Sequence, residues 1–148
     1  MRIDIYLDTD ARSMHSEAHG HSWYIMESTF KGKPLIRSKS ITWMEHNRNG
    51  AFLEGLLYAL TQIKAAGAEV HVYTESPYIY GHCTEKQLQE WDKNGYLTKD
   101  GEFIKYRNLW CQIGTQIISL GIHLYTHREL EPEKKQDLKK IGETLKRA

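Results

Sequence analysis

Cysteine is scarce in this sequence. Cys83 and Cys111 are the only two, far apart and in no metal-like spacing. That excludes a disulfide-stapled scaffold and a thiolate-built metal centre, and reads as reduced thiols in a cytosolic protein. Long apolar runs are also lacking: none approaches the roughly 20 residues needed to cross a bilayer, and the amino terminus enters a strand pattern with no apolar signal core. No membrane partner is expected, and the expected location is cytoplasmic. Nor is there an excess of one charge, with 20 Lys and Arg against 19 Asp and Glu. A protein that coats DNA with a uniformly basic surface is excluded, whereas a local basic patch is not. Repeats, low-complexity tracts and linkers are missing too. The expectation is one domain over residues 1–148, acting as a monomer, with 40% apolar residues to build its core.

What is present is an ordered series of periodic segments. Residues 2–8 alternate, with Ile3, Ile5 and Leu7 on one face and Asp4, Tyr6 and Asp8 on the other, as a strand does. A polar loop, "TDARSMHSEAHG", follows. "HSWYIMESTF" and "PLIRSKSITWME" then read as two strands joined at the "KGKP" turn. "GAFLEGLLYALTQIKAAG" has helical spacing, with Phe52, Leu56, Ala59, Leu60 and Ile63 on one stripe and Gly67 as a stop. "EVHVYTES" is a strand halted at Pro77, residues 84–92 a short helix, and "KNGYLTKDGE" a glycine-marked loop. "FIKYRNLWCQIGTQIISLG" is helical and "IHLYT" a last strand. From Pro132, a favoured first helical residue, a charged helix closes the chain. The order βββ-α-β-(α)α-β-α predicts an α/β fold: a five-stranded mixed sheet, its first three strands antiparallel and the rest parallel to the first, flanked by helices.

The chemistry concentrates where the first strand ends, in "IDIYLDTDARS". Asp8 and Asp10 stand two apart on a strand, so their side chains share a side and repel unless a cation or donors lie between them. With "IYLDTDARS", "NGAFLEGLLYAL", "VYTESPYIY" and "WDKNGYLTKDGEFIKYRNLW", the chain resembles the type 1 ribonucleases H along almost its whole length. The last of these segments is the most specific, because a generic helix–loop–helix needs neither its Trp, its Lys and Asn-Gly, nor its Leu-Trp.

The resemblance implies a ribonuclease H-like fold and hydrolysis of the RNA strand of RNA–DNA hybrids. It implies a carboxylate cluster holding one or two Mg²⁺ or Mn²⁺ ions, since such hard cations take oxygen ligands. Asp8 falls at the catalytic aspartate, Glu75 replaces the fourth-strand aspartate, and Asp137 is the candidate last ligand. His127, just after the last strand, stands near a family histidine that assists proton transfer or product release. Asp10, where the family usually has serine, could join Asp8 as a metal ligand, or simply cap the strand exit.

At the family's first-helix glutamate the sequence departs, because an ungapped alignment puts Phe52 there. A phenyl ring cannot coordinate a hard cation. Glu54, two residues on, shares its helical row with Tyr58, Thr61 and Gln62, a largely solvent-facing set. The expected metal-dependent nuclease therefore has a rival, a catalytically silent ribonuclease H-like module that binds nucleic acid or a protein. For substrate binding the candidates are Asn49, which could alternatively cap the first helix, and the basic and aromatic set Trp91, Lys93, Tyr96, Lys99 and Lys105. Trp110 reads as a core anchor, and the lysines of "KKQDLKKIGETLKR" as a solvated surface.

Overall fold

Strand β1 (Arg2–Thr9) lies in the middle of the sheet, and its two neighbours run in opposite senses. On one side it pairs antiparallel with β2 (Ala18–Phe30), which pairs antiparallel with β3 (Lys33–His46). On the other side it pairs parallel with β4 (Glu69–Tyr73), which pairs parallel with β5 (His123–His127). The five-stranded order is β3-β2-β1-β4-β5, the mixed sheet expected from the element order. This computed structural model describes residues 1–13 and 18–147, so part of the polar loop after β1 lies outside the described residues.

Both sheet faces are covered, each for a reason visible in β1. Ile3, Ile5 and Leu7 point into the larger core with Leu53, Leu56 and Leu60 of α1 (Arg48–Thr61) and Trp110 and Ile113 of α4 (Arg107–Ser119). The α1 stripe read from the sequence, Phe52 through Ile63, is buried throughout. Tyr6 points the other way, into a small cluster with Trp23, Ile25 and Leu138 beneath α5 (Pro132–Arg147). Gly142 lets α5 approach this closely: a Cβ there would stand 2.6 Å from the Trp23 ring. The Trp23 indole N–H donates to the Leu138 carbonyl at 2.9 Å and ties helix to sheet.

Three local readings change. Asn47, not Asn49, caps α1, its side-chain oxygen accepting from the Gly50 N–H at 3.1 Å; Asn49 lies inside the first turn. The helix ends at Thr61, before Gly67, and Ile63 is buried just beyond its end. Pro77 does more than end a strand. It opens α2 (Pro77–His82), with Ser76 as N-cap, ahead of α3 (Glu85–Asn94). No helix among the described residues is long and apolar enough to cross a membrane.

Candidate functional site

The parallel pairing of β1 with β4 places Tyr6 opposite Tyr73. Two residues further along each chain stand Asp8 and Glu75, brought to the same end of the sheet, where open α/β sheets collect functional groups. They line a cleft of about 580 Å³, walled by the loop after β1, the start of α1 and one edge of α5. Asp10 and Glu143 supply its other carboxylates; Arg12, Arg48, Lys135, Lys139 and Lys146 supply cations.

Each carboxylate is engaged differently. Asp8 accepts the Thr9 N–H at 2.8 Å. Burial raises its pKa above the ordinary value and the Glu75 charge adds to this, while the Thr9 hydrogen bond, Arg12 and Arg48 oppose it. Glu75 pairs with the Lys135 ammonium at 2.6 Å, and that pairing raises the lysine pKa. Asp10 turns toward β2: one oxygen accepts the His21 N–H at 2.8 Å and the other lies 3.1 Å from the His21 ring nitrogen Nδ1. It lines the cleft while both its oxygens are held by His21.

Phe52 stands where the sequence placed it. Its ring is 2% exposed, lines the cleft, and has the Arg48 guanidinium 5.2 Å above it. Glu54 points elsewhere, its carboxylate 3.0 Å from His46 Nε2. Asp137 is half-buried and does not line the cleft, whereas Lys135 and Lys139 of the same helix do. With 3.6 residues per turn, Asp137 lies about 200° around the helix from either lysine. His127 is also outside the cleft, stacked between Tyr73 and His71 with its Nε2 2.7 Å from His71 Nδ1. Burial, then the His71 charge, lowers its pKa.

The second group of candidates divides. Lys93, Lys99 and Lys105 are exposed. Tyr96 is not available to a sugar: it is 3% exposed and packs in the core against Gly114. Trp91 is half-buried between the rings of His82 and Trp110, and Trp110 is the core anchor expected. Phe103, outside that set of candidates, is 71% exposed with the Arg107 guanidinium 4.5 Å above its ring. Lys135, Lys139 and Lys146 of α5, expected on a solvated surface, line the cleft. Their i, i+4 spacing, Lys135 to Lys139, was the signal that they share an edge.

A divalent metal centre needs several oxygen ligands converging on one point. Among the described residues no three His, Cys, Asp or Glu side chains do so. A phenyl ring stands at the expected glutamate, Glu75 holds a lysine, Asp10 is held by His21, and Asp137 lies outside the cleft. The described residues do not fit the metal centre that the resemblance implied.

No known family profile matches the chain. Short similarities to curated proteins are found. Ribonuclease H of Syntrophomonas wolfei is 31% identical over 58 residues, 39% of this chain and 40% of the relative. Ribonuclease H of Thermus thermophilus is 43% identical over 42 residues, 28% of this chain and 25% of the relative. The chain thus spans less than half the length of the curated relatives it matches. Among solved structures, LC9-RNase H1, described as a type 1 RNase H with the type 2 active-site motif, superposes with TM-score 0.71 at 17% identity. That match covers 97% of this chain and 71% of the other. LC11-RNase H1 in complex with an RNA/DNA hybrid gives TM-score 0.56 at 18% identity, over 90% and 89% of the two chains. The fold is ribonuclease H-like. The short sequence similarities are to ribonucleases H.

Proposed function

We propose that this chain is a ribonuclease H-like nucleic-acid-binding module that takes RNA–DNA hybrid or a similar duplex across its cleft without efficient cleavage. The observation that carries the reading is the cation set Arg12, Arg48, Lys135, Lys139 and Lys146 gathered in one cleft. Phosphate backbones are held by such groups, and each neutralised phosphate releases counter-ions. Lys93, Lys99 and Lys105 are exposed on the segment that also carries the exposed Phe103, and offer further cations. The hybrid-bound LC11-RNase H1 structure supports the choice of ligand by likeness of fold. A metal-dependent nuclease is the competing outcome, and it would have to work with Phe52 in place of a ligand.

Fluorescence anisotropy with a labelled hybrid, repeated over a range of salt, tests the reading. Binding should weaken steeply with salt. Arg48→Ala with Lys139→Ala should lower the slope of log K against log salt by about 1 to 2 units. Hybrid incubated with Mg²⁺ or Mn²⁺ should be cut near background. Rapid cutting that Asp8→Asn abolishes would return the protein to the metal-dependent nucleases, and absence of hybrid binding would overturn the binding reading.

A further inference from the structure

We infer that Lys135 is a built-in counter-ion for Glu75, occupying the carboxylate that a divalent metal would need, so that the cleft engages phosphate backbones without metal. Asp8 and Glu75, two residues beyond the paired Tyr6 and Tyr73, end adjacent parallel strands and repel each other. Something must offset that repulsion. Here the chain supplies the charge itself: the Lys135 ammonium lies 2.6 Å from Glu75, and Arg12 and Arg48 line the same cleft as Asp8. Arg48 is further fixed by its position over the Phe52 ring.

An incoming cation would meet a guanidinium and an apolar ring where a carboxylate would have to stand, and an ammonium already on Glu75. Each fixed positive charge repels an incoming divalent ion at short range. Lys135 sits on α5 among the cleft-lining residues Lys139, Gly142 and Glu143. Its place is therefore set by the same close packing of helix on sheet that buries Leu138. Half-exposed as it is, it can be removed without opening the core.

The inference deepens the binding reading and rests on it only for the nucleic-acid arm of the test; the other arm uses protein alone. Mn²⁺ is titrated into the protein at low salt, with free Mn²⁺ followed by electron paramagnetic resonance. The parent should bind weakly. Lys135→Met should tighten Mn²⁺ binding by about tenfold or more, adding Phe52→Glu should tighten it further, and Glu75→Gln in the Lys135→Met background should cancel the gain. Lys139→Met removes the same charge from the same helix edge but no partner of Glu75, and should gain much less. Equal gains from both lysines, or a parent that already binds as tightly as Lys135→Met, would overturn the assignment. In the second arm, hybrid affinity of the parent should be the same in Mg²⁺ and in EDTA, and a tenfold loss in EDTA would overturn it. If no protein in the set binds hybrid, the binding reading falls while the Mn²⁺ series still decides the role of Lys135.

Discussion

Asp8 shows how much a single position can hold. It stands at the exit of β1, half-buried, with a Thr9 N–H on one oxygen and the Glu75 charge nearby. Because burial raises its folded pKa above the ordinary 3.8, the folded state binds the proton more readily than the unfolded chain. Its contribution to stability is therefore full below pH 3.8 and is lost as pH rises through the folded pKa. Asp8→Asn keeps the shape and removes the charge. The variant should be more stable than the parent at pH 7, with the gain shrinking toward pH 3. Urea melts at the two pH values measure this, and a variant less stable than the parent at pH 7 would contradict it. Phe52 belongs to the same argument at residue scale. Its burial followed from helix phase, because α1 presents one stripe to the sheet and Phe52 is on it, and its place in the cleft from the resemblance of α1 to the family's first helix. Tyr96 was misjudged because its motif suggested a surface role. Nothing local records that the backbone there takes φ 60° and turns the ring inward.

At the scale of elements, strand order and helix stripes were legible because they rest on periodicity, which survives without knowledge of neighbours. What failed were assignments that depend on contacts between elements. α2 was lost because Ser76-Pro77 serves equally to stop a strand and to start a helix. On α5, Ile141 and Leu145 do pack against the smaller core, which made an inward Asp137 reasonable. The cleft lies along the other edge of the helix, with Lys135, Lys139 and Glu143. No pattern within α5 says which edge meets the end of β1. The close approach at Gly142 does fix it, and this yields a test. Alanine is favoured over glycine in a helix interior by about 1 kcal/mol. Here, however, its methyl would sit 2.6 Å from the buried Trp23 ring, whose N–H is committed to Leu138. Gly142→Ala should destabilise the protein by about 1 to 3 kcal/mol, with the loss of Trp23 packing read in near-UV circular dichroism. Stabilisation by that substitution would mean that α5 does not lie this close.

Across the whole molecule, the sheet face shared with α5 is unequal. The helix packs over β1 and β2, while the flank toward β4 and β5 carries a ladder of rings. Tyr6 stacks on Tyr73 at 4.7 Å, Tyr73 on His127 at 4.5 Å, His127 on His71 at 5.0 Å and His71 on Tyr125 at 4.8 Å. The ladder ties three parallel strands together through side chains. Its middle step is an imidazole pair with nitrogens 2.7 Å apart, in which one ring must donate and the other accept. Glu69 holds the far nitrogen of His71, and Arg2 donates to the Tyr73 hydroxyl and pairs with Asp4. Burial, then the His71 charge and Arg2, lower the His127 pKa, with Asp4 in partial opposition. The unfolded chain therefore binds the His127 proton more readily than the folded one. Stability from this group is full above the ordinary 6.5 and is lost as pH falls from there toward the lower folded value. This window lies above the one set by Asp8, so the two are separable in one pH series. The parent should melt at a lower temperature at pH 5.5 than at pH 7.5. His127→Gln, which cannot charge, should show a smaller drop. Melts of both proteins across that interval, in buffers of matched ionic strength, give the comparison. Identical drops for parent and variant would remove His127 from any part in the acid sensitivity of the fold.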